Sequence, residues 1–116
     1  MYKIRYDKLK NCVYVVVEGS MKMEEANNYV VDFKKAVDST GPNFKICTDL
    51  SKTTAVLPEI NDKLNESKAY AKAKGYKKAA FIMSSAVLKM QVKRAFEEDQ
   101  ESLFDNINDA EKFLNS

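Results

Sequence analysis

The stretch "FKICTDLSKTTAVLPEI", residues 44–60, decides how the rest of the chain is read. "FKICTDL" is rich in β-branched and apolar residues, which suits a strand. A polar turn carrying Ser51, Thr53 and Thr54 follows. Pro58 then fits the first turn of a helix, where its missing N–H has no partner to lose. Ile60, Leu64 and Ala71 recur at helical steps behind it, and Gly75 is placed to close the helix.

Towards the N-terminus, Tyr2, Ile4 and Tyr6 alternate with Lys3, Arg5 and Asp7, the period of a strand with one covered face. After a polar turn at residues 8–11, "CVYVVVEG" is almost continuously apolar, as expected of a strand covered on both faces. A hairpin joins the two. From residue 21 the period changes, and Met23, Ala26, Val30, Phe33 and Val37 fall on one helical stripe. Ser20 is the expected N-cap and Gly41–Pro42 the stop, giving a helix over about 21–39.

Towards the C-terminus, "AAFIM" reads as a short buried strand. Ser84 or Ser85 then caps a third helix bearing Val87, Leu88, Val92, Ala95 and Phe96. "SLFDNI" is a fifth strand. A short helix ends the chain, with Asn108 and Glu111 as its capping pair and Ala110, Phe113 and Leu114 on one face. The predicted class is α/β, in the order ββαβαβαβα: a mixed sheet, mostly parallel with an antiparallel edge, and helices packed on it.

The 116 residues, 45% of them hydrophobic, fit one domain over 1–116 with one core. No run approaches the roughly 20 apolar residues of a membrane helix, and "MYKIRYDKLK" lacks the apolar block of a secretory signal, so a cytoplasmic location is expected. Cys12 and Cys47 sit in apolar runs without CxxC spacing and read as buried free thiols. The net charge of +2 implies no global field for nucleic acid. The lysines of "SKAYAKAKGYKK" read as a solvated helix face, so no nucleic-acid partner is expected.

The chain has no histidine, which removes the usual nucleophile–base pairs and zinc sites. No glycine lies between Cys47 and Gly75, so the backbone after the third strand lacks the wrap of a phosphate-binding loop. Asp49 lacks the further acidic residues of a receiver-type site and reads as a hydrogen-bond acceptor for the turn. No catalytic residue, metal or cofactor is predicted. On the third helix, Val87 and Met90 extend the apolar surface beyond what one core-facing stripe needs. This marks an apolar interface, a homodimer contact or a ligand-facing surface.

The element order, "ICTDLS" before the second helix and "SLFDNINDAEKFL" at the end resemble the STAS family: sulfate-transporter cytoplasmic domains and SpoIIAA-like anti-sigma-factor antagonists. Asp49, Leu50 and Ser51 match its Asp-Leu-Ser-like turn, and Phe104, Ala110, Phe113 and Leu114 match its last strand and helix. The resemblance implies a small regulatory module that binds another protein through the turn and the first half of the second helix. The implied contact residues are Asp49, Ser51, Thr53, Thr54, Pro58, Glu59 and Lys63. Phosphorylated antagonists of the family carry a regulatory serine at the start of that helix. Here Leu57, Pro58, Glu59 and Ile60 stand in its place, which implies either a module always competent to bind or one whose Glu59 carboxylate partly imitates a phosphate. SpoIIAA-like folds also include lipid carriers, so the alternative is a carrier or sensor of a small apolar ligand.

Overall fold

The computed structural model describes residues 1–53, 57–93 and 101–116; Thr54, Ala95 and Phe96 lie outside them, as do the side chains of Leu88 and Val92. Nine elements follow in order. They are β1 (Tyr2–Asp7), β2 (Cys12–Glu18), α1 (Met23–Asp38), β3 (Lys45–Lys52), α2 (Pro58–Lys74), β4 (Lys78–Ile82), α3 (Ala86–Lys93), β5 (Glu101–Phe104) and α4 (Ile107–Leu114). The strands form one sheet in the order β1-β2-β3-β4-β5, antiparallel between β1 and β2 and parallel thereafter. This is the sheet the sequence predicts.

Alternation along the strands divides the core between two faces. Val13, Val15 and Val17 of β2, Ile46 and Leu50 of β3 and Ala79 of β4 join Ala26, Val30, Phe33 and Val37 of α1 and Ile60 and Ala71 of α2. Cys12, Tyr14, Cys47, Ala80 and Ile82 point the other way and meet Ala110 and Leu114 of α4. Both cysteines are free and buried. Loss of hydration pushes the Cys12 thiol up to about 11 and the Cys47 thiol to about 12, which keeps both protonated and poorly nucleophilic at neutral pH.

One asparagine ties the hairpin to the parallel half of the sheet. Asn11 sits in the left-handed region at φ 52°, which asparagine tolerates better than most residues. Its side chain accepts from Gly41 N–H at 3.1 Å and from the Tyr6 hydroxyl, and donates to Pro42 O at 2.9 Å. Its carbonyl accepts from Lys45 N–H at 2.9 Å, where β3 begins.

Helix boundaries follow local chemistry, with three corrections. Pro58 opens α2, and Gly75, left-handed at φ 83°, closes it while donating to Ala71 O and Lys72 O. α1, however, starts later than expected: Lys22 occupies the N-cap position without a side-chain bond, so Ser20 is not the cap. Met23 is 38% exposed, because the core-facing stripe begins one turn later at Ala26. At α4 the cap is Asn106, whose Oδ1 accepts from Asp109 N–H at 2.9 Å, and Asn108 lies within the helix. Asn106 is the last extended residue after β5, and only a residue outside the helix can turn its side chain onto the first free N–H groups.

Candidate functional site

A cavity of about 390 Å³ opens between the sheet and the α1–α2 layer. Its floor is Val17 of β2, Ile46, Thr48 and Leu50 of β3, and Ala79 and Phe81 of β4. Tyr29 and Phe33 of α1 form one wall, and Ile60 and Leu64 of α2 the roof. Gly19, Ser20, Leu57 and Asn65, all exposed, mark the side open to solvent. The volume falls within the range of small-molecule pockets.

The cavity exists because α2 is sparsely furnished. Its sheet-facing positions read Ile60, Leu64, Ser67, Ala71, so large side chains give way to small ones as the helix proceeds. Ala79, beneath, is small as well. A closed apolar void of 390 Å³ would cost on the order of 9 kcal/mol at about 24 cal/mol per Å³. That rivals the whole net stability of a small domain. A space this large is therefore tolerable only where its mouth admits solvent or a ligand.

Polar atoms inside it are few. Thr53 donates to Val17 O at 3.0 Å, and Ser67 donates to Leu64 O at 2.7 Å, so both hydroxyl protons are committed to the protein. Burial pushes the Tyr29 hydroxyl well above its ordinary range, against a smaller opposing pull from Ser67. Thr48 differs. It is 8% exposed, it faces the cavity from the central strand, and its hydroxyl makes no hydrogen bond among the described residues. A buried hydroxyl without a partner costs free energy that an occupant able to accept from it would return.

Beside the cavity lies the turn singled out in the sequence. Asp49 accepts from Ser51 N–H at 2.9 Å, the turn-forming bond its position suggested, and Ser84 Oγ donates to Ser51 O at 2.9 Å. Asp49 and Ser51 are half-buried, while Pro58 and Glu59 are exposed at the start of α2. Lys63 pairs with Glu66 one turn on, at 3.9 Å. Thr53 is the exception among the proposed contact residues: it is 4% exposed and turned into the cavity, so it presents no surface to a partner. Thr54 falls outside the described residues. On α3, Val87 and Met90 are exposed at 58% and 61%, one turn apart. They do not line this cavity; they form an exposed apolar pair on α3.

Sequence reasoning missed the cavity and hence Tyr29, Thr48, Asn61, Asn65 and Lys68, all of which line it. The available signal was the run of small inward residues in the second half of α2.

No family model matches the chain, and no curated protein matches it. Among solved structures, it superposes on an uncharacterised protein of the DUF3478 family from Shewanella loihica PV-4, with a TM-score of 0.73 over 97% of this chain and 93% of that one. That protein is described as having a SpoIIAA-like fold. The fold here is SpoIIAA-like. At 14% identity the likeness is one of backbone, and the SpoIIAA-like scaffold alone does not specify what the cavity or the turn binds. Among the described residues, no helix is long and apolar enough to cross a membrane, and no group of three metal-ligating side chains is present.

Proposed function

We propose that this SpoIIAA-like protein is a non-catalytic module that binds a small apolar ligand between its sheet and α2. The observation that carries this reading is the apolar cavity of about 390 Å³. Supporting it is the chemistry of the chain: histidine is absent, and both thiols are held protonated on the opposite face of the sheet. The cavity sits beside the turn at the end of β3, and Thr53 and Leu57 flank both. Occupancy there bears directly on the surface through which a regulatory partner would be engaged.

Native mass spectrometry of the purified protein, before and after solvent extraction and then with added 1-decanol, tests the reading. A co-purifying small mass, or stoichiometric uptake of 1-decanol by the stripped protein, is the expected result. A bare polypeptide mass throughout would overturn it.

The protein-interaction reading is favoured by one separate observation. Leu57 is 62% exposed immediately before Pro58 and Glu59, an apolar side chain presented at the start of the helix where SpoIIAA-like antagonists meet their partners. A protein partner retained by the wild type and lost on Leu57→Asp, with the fold intact, is the outcome that reading requires.

A further inference from the structure

The geometry points to a ligand of one chemical class: an uncharged, mainly hydrocarbon molecule with a carbonyl oxygen near its middle, held by the Thr48 hydroxyl. This rests on the cavity's being a ligand site, as proposed above, and adds the identity and position of the ligand's polar atom. Three features of the lining carry it.

The first is a buried donor with nothing to donate to. Thr48 is 8% exposed and lines the cavity, and its hydroxyl makes no hydrogen bond among the described residues. Nearby hydroxyls are engaged: Thr53 donates to Val17 O, Ser67 donates to Leu64 O, and the Tyr29 hydroxyl has the Ser67 hydroxyl for its neighbour. Valine, of nearly the same shape, would fill position 48 without the cost of a buried, unpaired hydroxyl.

The second is what surrounds that donor. Thr48 lies on β3, the middle strand of the sheet. On the cavity face its neighbours are Ile46 and Leu50 along the strand and, in register across it, Val15 and Phe81. None of these side chains carries a charge or a hydrogen-bonding group. An ionised group placed here would give up its hydration for one neutral hydroxyl, a net cost. A ligand hydroxyl would accept from Thr48 but bring a proton that needs an acceptor of its own. A carbonyl oxygen accepts and brings no donor.

The third is position. Of the β3 residues that line the cavity, Ile46, Thr48 and Leu50, Thr48 is the central one, with the others roughly 7 Å to either side along the strand. Leu50 and Val17 continue the floor towards Gly19 and Ser20 on the open side, and Ile46 and Ala79 continue it the other way. An oxygen at Thr48 therefore has hydrocarbon floor on both sides, which suits a polar atom in mid-molecule rather than at an end. At roughly 30 Å³ per non-hydrogen atom, the share of a water in its liquid, 390 Å³ holds about 13 such atoms. A ketone of about eleven carbons has close to that number.

The test is a calorimetric titration of the delipidated protein at pH 7.5 with 6-undecanone, 2-undecanone and 1-decanol, repeated on Thr48→Val and Thr48→Ser. The wild type binds 6-undecanone more tightly than 2-undecanone. Thr48→Val weakens 6-undecanone about tenfold, the loss of one hydrogen bond, and leaves 1-decanol no weaker. Thr48→Ser, which keeps the donor, restores most of the ketone affinity. The infrared carbonyl stretch of bound, carbon-13-labelled 6-undecanone lies lower on the wild type than on Thr48→Val, a shift that a purely structural role for Thr48 would not produce. If Thr48→Val weakens 6-undecanone no more than 1-decanol, or the stretch is the same on both proteins, the carbonyl assignment is wrong although the cavity reading stands. Equal or tighter binding of 2-undecanone overturns the mid-molecule placement. If none of the three binds to the wild type, both readings fall together. Unchanged circular dichroism of the variants secures the comparison.

Discussion

Filling the cavity from its floor should make the protein more stable and its ligand weaker. Ala79 is 3% exposed on β4 and lines the space that α2 leaves open. Ala79→Leu adds three carbons. In a packed core such an insertion costs about 1–3 kcal/mol through forced rotamers and backbone shifts. Here the added side chain occupies roughly 90 Å³ of the 390 Å³, at about 30 Å³ per heavy atom. It should gain about 2.4 kcal/mol by burying three methylene equivalents at about 0.8 kcal/mol each. A ten-carbon ligand forced to withdraw three methylenes loses a similar amount, or roughly sixtyfold in Kd. Urea denaturation followed by circular dichroism reads the first quantity, and calorimetric titration with 1-decanol the second. A variant destabilised by more than about 1 kcal/mol, with 1-decanol affinity unchanged, would refute the reasoning, because it would mean that the floor is already packed.

Three further expectations follow from individual side chains. Thr48→Val removes a buried hydroxyl that has no partner among the described residues, so urea denaturation should show a gain of about 1 kcal/mol; a loss of that size would mean the hydroxyl is satisfied. Asn11→Ala deletes three side-chain hydrogen bonds and places a β-carbon residue without a polar group at φ 52°, and should cost roughly 3 kcal/mol, of which Asn11→Gly recovers about 1 by removing the backbone strain. The raised Cys12 and Cys47 thiols, with Tyr2 pushed up to about 12, set the alkaline limit. Their unfolded forms lose protons first as pH rises, so their contribution is intact below about pH 9 and is lost as pH rises through 11–12. A thermal midpoint flat from pH 7 to 9 and falling above it is the expected profile; a midpoint unchanged to pH 11 would contradict it.

Much of the fold is legible because its signals are local. Period-2 alternation in β1, the continuous apolar run of β2, Pro58 at the head of α2 and Gly75 at its foot each declare themselves within a few residues. The boundaries read less well where two candidates stand close together. Asn106 and Asn108 are both good caps, and the end of β5 at Phe104 decides between them. Similarly, Ser20 has the right side chain for a cap but belongs to the rim of the cavity, two residues before the N-cap position at Lys22.

The site was half legible. Asp49 and Ser51 form the turn that an Asp-Leu-Ser sequence suggests, and Glu59 is exposed as its charge requires. The cavity was not legible, since it depends on the volumes of side chains from β2, β3, β4, α1 and α2 summed across a space. Hydrophobic periodicity reports which face of an element turns inward and says nothing of how full the interior is. Thr53 shows the same limit: its hydroxyl suited a turn, but only three-dimensional placement reveals that it bonds Val17 O from inside.

The most direct measurement of the central claim is a set of intermolecular nuclear Overhauser effects between protonated 1-decanol and the methyl groups of otherwise deuterated protein. Binding in the cavity predicts cross-peaks to Val17, Ile46, Leu50, Ile60 and Leu64, and none to Val87 or Met90. Cross-peaks confined to Val87 and Met90, or no cross-peaks at saturating 1-decanol, would contradict it.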